Sequence, residues 1–373
     1  MSKKKLLALV LVVLVFVSVF SGCSTAERIW ERIIVASVSD QQNKQDERSA
    51  YEILYDGVCQ FESEITGLSK FSEQELVSAY TQLLRDYPEF FWVWESYTIY
   101  TSDDGTVSCF CPELTMDVDK ARQAQEAVLR EAEKIAEAAS SLEHPYEKAL
   151  FIHDYIVNSI DYDTDALKND ILFREASTIY GVLINKKAIC SGYAKAYQYL
   201  LELCGVNAIC VGGYAITDNS NQAHMWNIIQ LDQEYYHVDV TWDDPVVENT
   251  AYAAPSYAYF CLTTNEILQD HTIDHGQNIP DCTATKYNYY IYNHLFSKKY
   301  TFGDVYNIVE RAANDGKKVV EIKFGNAYEL KRAIDDLYVE GRIFEIPCMK
   351  KFKEDYAYYN IVLGNCLLVV YLT

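Results

Sequence analysis

Apolar and polar positions along this chain change their period several times, and each change marks an element. Ser72-Glu73-Gln74-Glu75 has the spacing of a capping box and opens a predicted helix. Dense aromatics follow at Phe90, Phe91, Trp92 and Trp94, placed either to pack in a core or to line a groove. Segments 96–101 and 106–112 read as a hairpin turning at Asp103-Asp104-Gly105. Residues 117–140 are rich in Ala, Glu and Gln without Pro or Gly, which predicts a long helix. Pro145 fits the first turn of another helix, running to about Ser159. From 176 onward helix and strand signals alternate. Tyr193, Ala196, Tyr197, Leu200, Leu201 and Cys204 form a stripe at helical spacing, closed by Gly205 as a C-cap. Residues 207–214 read as a strand and 218–222 as a polar loop. Residues 224–230 and 235–240 then read as a second hairpin turning near Asp232-Gln233. After Tyr300, 304–314 and 326–338 read as helices, 318–324 and 356–372 as strands.

The first 23 residues break with this pattern. Lys3, Lys4 and Lys5 precede an almost unbroken apolar run from Leu6 to Phe20, and Ser21-Gly22-Cys23 follows. The run is short for a membrane span and suits the apolar part of a secretory signal. The order resembles a bacterial lipoprotein signal. That resemblance implies a signal peptide at 1–22, lipidation of Cys23, and an extracytoplasmic, membrane-anchored protein. The polar stretch 23–49 then reads as a tether.

Composition narrows the function classes. The chain has 54 acidic against 32 basic residues, a formal charge of −22, so bulk attraction to nucleic-acid phosphates is excluded as a binding mode. Eleven cysteines at irregular spacing in 373 residues do not form a disulfide framework. Cys59, Cys204, Cys210, Cys261 and Cys366 sit in apolar surroundings and read as small core residues. Cys109-Phe110-Cys111 lacks a matching second pair. His271 and His275, flanked by Asp270 and Asp274, are a poor donor set for zinc. Neither a metal nor a cofactor is expected. Asp243 and Asp244, with Glu248, read as solvated acids around a turn closed by Pro245 rather than as a calcium site.

The candidate chemistry lies between 188 and 240. Cys190 begins the helix whose stripe starts at Tyr193, a position where unsatisfied N–H groups and the helix dipole favour negative charge. If Leu231 pairs with Glu234 across the second hairpin, Asp239 faces Trp226 and becomes a diagonal neighbour of His224 on the same sheet face. A one-residue slip would part them. A thiol at a helix start, with a histidine oriented by an acid, is the arrangement of a nucleophilic triad. His237 shares the parity of Asp239 and is the competing base.

From about 145 to 262 the chain resembles a bacterial transglutaminase-like domain. The carrying segments are Cys190-Ser191-Gly192-Tyr193-Ala194-Lys195-Ala196, Ala223-His224-Met225-Trp226-Asn227 and His237-Val238-Asp239-Val240-Thr241-Trp242-Asp243-Asp244-Pro245. His153-Asp154-Tyr155-Ile156 and Asp161-Tyr162-Asp163 add to the likeness upstream. The resemblance implies an α+β fold: a papain-like core, with the nucleophile helix packed on an antiparallel sheet. It implies Cys190, His224 and Asp239 as catalytic residues. The expected domains are an N-terminal α+β domain at 50–140, the core at 141–298 and a C-terminal α/β domain at 299–373. The implied function is cell-surface acyl transfer or amide hydrolysis on a protein or peptide substrate, including one in the cell wall. The alternative is a catalytically silent surface scaffold that binds wall polymer or a partner.

Overall fold

A computed structural model of the chain describes residues 48–217, 220–244, 256–352, 359–362 and 366–372. Cys23 and the signal and tether segments expected before residue 48 lie outside these residues. Among the described residues no helix is long and apolar enough to cross a membrane. The chain divides between Cys210 and Val211 into two compact units.

The first unit begins with helices α1 (Ala50–Cys59) and α2 (Glu73–Asp86). The antiparallel hairpin β1 (Val93–Thr101) and β2 (Val107–Leu114) follows. Ser72 caps α2, and its capping box with Glu75 is complete. Phe90, Phe91 and Trp92 are buried, and Trp92 stacks on Phe61, so these aromatics belong to the core and not to a groove. The long helix α3 (Val118–Ser140) buries a stripe of Ala121, Ala124, Val128, Ala132, Ile135, Ala136 and Ala139. Mostly alanine, that stripe lets neighbouring helices approach closely. Helix α4 (Pro145–Ser159) has proline in its first turn. A parallel pair of short strands, β3 (Asp161–Tyr162) and β4 (Lys187–Ala188), brackets α5 (Asp170–Ala176).

Helix α6 (Cys190–Leu203) is the centre of this unit. Tyr193 donates to the Ile160 carbonyl at 3.2 Å and Tyr197 to the Ala149 carbonyl at 3.0 Å, fixing α6 to α4. Gln198 donates to the Arg85 carbonyl at 3.1 Å and accepts from the Cys210 N–H at 3.0 Å. Gly205, with φ +77°, turns the chain out of the helix.

In the second unit a five-stranded sheet has the order β8-β7-β6-β5-β9. Its strands are β5 (Ala208–Thr217), which begins at the unit boundary, β6 (Ser220–Leu231), β7 (Glu234–Val238), β8 (Phe260–Leu262) and β9 (His271–Ile273). The short helix α7 (Thr264–Ile267) joins the last two strands, and α8 (Tyr289–Tyr292) follows. A second sheet of four strands, ordered β10-β11-β13-β12, is built from β10 (Phe296–Ser297), β11 (Val319–Phe324), β12 (Tyr359–Val362) and β13 (Leu367–Tyr371). Helices α9 (Phe302–Asn314) and α10 (Ala327–Ile334) share its core through Val305, Val309, Leu330 and Ala333. The fold is α+β, with an antiparallel hairpin at the heart of the larger sheet.

Several boundaries differ from expectation. The polar loop shrinks because Ser220 already belongs to β6; Asp218 and Asn219 lie outside the described residues. The helix expected over 326–338 leaves α-geometry after Ile334 and passes into a π-type turn over Asp335–Val339. The single strand expected over 356–372 is the antiparallel pair β12 and β13. The ten described cysteines are free thiols, and of the five read as core residues only Cys261 is fully buried.

Gly192 tests how tightly α6 is seated. A Cβ there would lie 2.3 Å from the Ala176 carbonyl oxygen and 2.9 Å from the Ala188 Cβ. Because backbone cannot swing aside, Gly192→Ala should destabilise the protein by about 1–3 kcal/mol, measured by urea unfolding. Gly303→Ala, in open space near the start of α9, should cost far less.

Candidate active site

Cys190 is the first residue of α6 and is partly exposed. Ile189 at the N-cap has extended backbone and supplies no side-chain cap, so the amide groups of the first turn are not claimed by a capping oxygen. The Ile189 N–H donates to the Ala176 carbonyl at 3.0 Å, and Gly192 presses against the same oxygen. The thiol therefore sits on a helix end held by backbone contacts on both sides.

In the second unit the hairpin register is the one on which the triad reading depended. Leu231 pairs with Glu234, Gln230 with Tyr235, and Asn227 with Val238. The two turn residues Asp232 and Gln233 have φ of +50° and +68°, the geometry of a tight two-residue hairpin turn. His224 and Asp239 then meet: His224 Nε2 lies 2.6 Å from Asp239 Oδ2, both residues buried.

Asp239 reaches this position by a route different from the expected one. The strand stops at Val238, so Asp239 is not a strand residue opposite Trp226. Its Oδ1 instead accepts the backbone N–H groups of Thr241 at 3.0 Å and Trp242 at 3.2 Å. An aspartate that captures the amides two and three residues ahead folds the chain into a turn, and the ladder ends there. Burial alone would raise the Asp239 carboxyl. The His224 charge and the hydrogen bonds from His224 and His271 overcome this and hold it well below the usual carboxylate range.

His237, the competing base, is taken up elsewhere. Its Nδ1 accepts from Trp226 Nε1 at 3.0 Å, and its Nε2 lies 3.3 Å from Thr264 Oγ1. Burial, then the nearby His271 charge, lowers its pKa to about 4. It is a neutral structural imidazole. Asp243 is not a solvated acid: it is fully buried, with Oδ1 accepting the Tyr259 N–H at 2.9 Å. Glu248 lies outside the described residues.

Sequence reasoning missed the role of His271. The sequence sets it beside His275 as a weak metal pair, but His271 is buried on β9 while His275 is exposed. His271 Nε2 lies 3.1 Å from the same Asp239 Oδ2 that meets His224, and its Nδ1 lies 2.6 Å from Asp270 Oδ1. Gly213 on β5 lets this cluster close. A Cβ there would lie 1.9 Å from the Thr272 carbonyl oxygen and 3.0 Å from Trp226 Cη2. Two adjacent glycines in a strand, Gly212-Gly213, were the one available signal of close approach.

Residues 133–240 match the family model described as the transglutaminase-like superfamily, a span that holds Cys190, His224 and Asp239. The chain is 30% identical over 124 residues to the kyphoscoliosis peptidase of Mus musculus, covering 31% of this chain and 18% of that protein. The Homo sapiens kyphoscoliosis peptidase is 29% identical over 139 residues, 34% of this chain and 21% of that protein. The chain thus spans about a fifth of the length of these relatives. Among solved structures, that of a TGase aligns with a TM-score of 0.29 and 14% identity, covering 39% of this chain and 44% of that one.

The depressed Asp239 carboxyl gives a pH-dependent stability with a definite sign. A group whose folded pKa is lowered stabilises fully above its unfolded value, about 3.9, and loses that contribution as pH falls toward the folded value. Asp239→Asn should therefore cost about 3–5 kcal/mol near neutrality, as for a broken buried pair. The gap to wild type should narrow below about pH 4. Urea titrations at stepped pH measure it; a gap that stays constant with pH would show that the carboxylate's charge contributes nothing.

Proposed function

We propose that the transglutaminase-like domain of this chain is a cysteine-dependent centre for acyl transfer or amide hydrolysis. Cys190 is the nucleophile, His224 its base and Asp239 the acid that orients the base. The observation that carries this reading is the 2.6 Å hydrogen bond between His224 and a buried, ionised Asp239. An imidazole so held donates from Nε2, which makes Nδ1 the nitrogen that accepts a proton.

The chemistry then follows in order. His224 Nδ1 takes the thiol proton, and the Cys190 sulfur attacks the carbonyl carbon of an amide. A carbon–sulfur bond forms and the carbonyl electron pair moves to oxygen. The Cys190 backbone N–H, at the start of α6, is the natural first donor to that oxyanion. Collapse breaks the carbon–nitrogen bond, and His224 returns its proton to the leaving amine. The resulting thioester is opened by water, giving hydrolysis, or by a second amine, giving a new amide. His224 takes the proton of the incoming group in either case.

The relatives are named as peptidases, which makes amide hydrolysis the first activity to assay. The proposed substrate is a protein or peptide, encountered outside the cytoplasm by an enzyme lipid-anchored at Cys23.

Iodoacetamide labelling of Cys190, read by peptide mass spectrometry across pH, tests the reading. Wild type should label rapidly at about pH 5–6, where an ordinary thiol of pKa near 8.5 is almost wholly protonated. His224→Ala should slow that labelling at least about tenfold. An ordinary thiol profile, unchanged by His224→Ala, would overturn the triad and leave a binding scaffold as the better account.

A further inference from the structure

The triad reading leaves a buried histidine unused. His271 is fully buried and has a carboxylate at each ring nitrogen: Asp239 Oδ2 at Nε2 and Asp270 Oδ1 at Nδ1. Asp270 is itself held, its Oδ2 accepting the Tyr259 hydroxyl at 2.7 Å. A neutral imidazole has one donor and one acceptor, so it would turn a lone pair toward one of these carboxylates. The imidazolium donates to both.

The surroundings favour that cation. The His271 ring centre lies 4.5 Å from that of Trp242 and 5.1 Å from that of Trp226, with Tyr259 at 5.8 Å. A ring face within about 6 Å attracts a cation, whereas a ring edge does not. The titratable groups facing it are Asp239 after β7, His237 on β7, His224 on β6, Tyr259 before β8 and its own neighbour Asp270. Burial by itself would lower the His271 pKa, but the hydrogen bonds to Asp239 and Asp270 raise it above the ordinary value.

His224, Asp239 and His271 offer atoms within 4.8 Å of one another, which raises the question of a shared metal ion. Two donors on one zinc ion at about 2.0–2.1 Å with tetrahedral angles lie about 3.3 Å apart. The 2.6 Å between His224 Nε2 and Asp239 Oδ2 is too short for that and is a charge-assisted hydrogen bond.

We infer that His271 is a positioning residue of this centre: a buried cation clamped between Asp270 and Asp239 that fixes the Asp239 carboxylate toward His224. The inference rests on the triad reading for its catalytic meaning. His271 touches no reacting atom and acts through Asp239. It places a second donor on the oxygen that His224 uses, and its ring centre lies 5.4 Å from that of His224. The pull of Asp239 on His224 is thereby shared between two imidazoles, one of fixed charge.

Two measurements test this. In Cys190→Ala protein, nitrogen-detected histidine NMR should find His271 still protonated at both nitrogens at about pH 7, above the ordinary value of about 6.5. A neutral His271 at that pH would overturn the inference, whatever the enzyme does. The second is the Cys190 labelling profile in His271→Phe and His271→Gln. His271→Phe, which keeps the ring and loses both donors, should slow labelling at about pH 6 by tenfold or more. His271→Gln, with one neutral donor, should recover part of that rate with a shifted pH midpoint. Folded variants with the wild-type rate and midpoint would overturn the inference while leaving the triad standing. Loss of low-pH labelling in wild type itself would instead sink the triad.

Discussion

The side chain on which the second unit's site depends is the Asp239 carboxylate. It is completely buried and accepts four hydrogen bonds: two amides at Oδ1, two imidazoles at Oδ2. A carboxylate without such partners would cost several kcal/mol to bury and would take up a proton instead. Each partner has a structural consequence. The amides end strand β7 and start the turn toward Asp243; His224 is drawn in from β6 and His271 from β9. The β6–β7 hairpin and the sequence-distant strand β9 are therefore tied to one pair of oxygens.

Glu321 shows what a half-buried carboxylate becomes without this arrangement. It accepts the Tyr290 hydroxyl at 2.6 Å and lies near the Asp243 charge. Burial pushes its pKa up to about 7. Desolvation raises both acids, and Asp239 is the more deeply buried of the two, so burial does not explain why it is the one held low. The nearby positive charge does, and here it comes from histidines. The state of Asp239 is thus a property of His224 and His271 as much as of Asp239.

Local patterns carried most of the legible information. The capping box at Ser72, the alanine-rich helix from 118, Pro145 at a helix start and the stripe of α6 all depend on neighbours within one or two turns. The hairpin register was legible because a two-residue turn at Asp232-Gln233 leaves few ways to pair 224–231 with 234–238. What failed was either a side-chain choice or a distant pairing. Nothing in the alternation of residues 235–240 says that Asp239 will capture two amides and leave the ladder. Nor does a three-residue strand at 271–273 carry enough periodicity to announce that it pairs with β5, bringing His271 opposite Ala215. In the sequence His271 stands out only as one of two histidines four residues apart, weak as a metal pair, and it lies on a strand.

The two halves of the proposed chemistry are built on different physical terms. Cys190 is fixed by packing: the absence of a side chain at Gly192, the alanine stripe of α3, and tyrosine hydroxyls reaching backbone carbonyls of α4 and after it. His224 is fixed by charge and hydrogen bonds. Packing contacts change little between pH 5 and 8, whereas a histidine hydrogen-bonded to a buried carboxylate can change with the proton it gains or loses. If the triad is the working unit, its response to pH is therefore written mainly in the second unit, in His224 and the Asp239 and His271 groups that set its charge. The helix that presents the thiol should be comparatively indifferent to pH and most sensitive to volume. A substitution at Gly192 and one at His271 would then fail in different ways, the first by displacing the nucleophile at every pH, the second by altering the pH range over which it is armed.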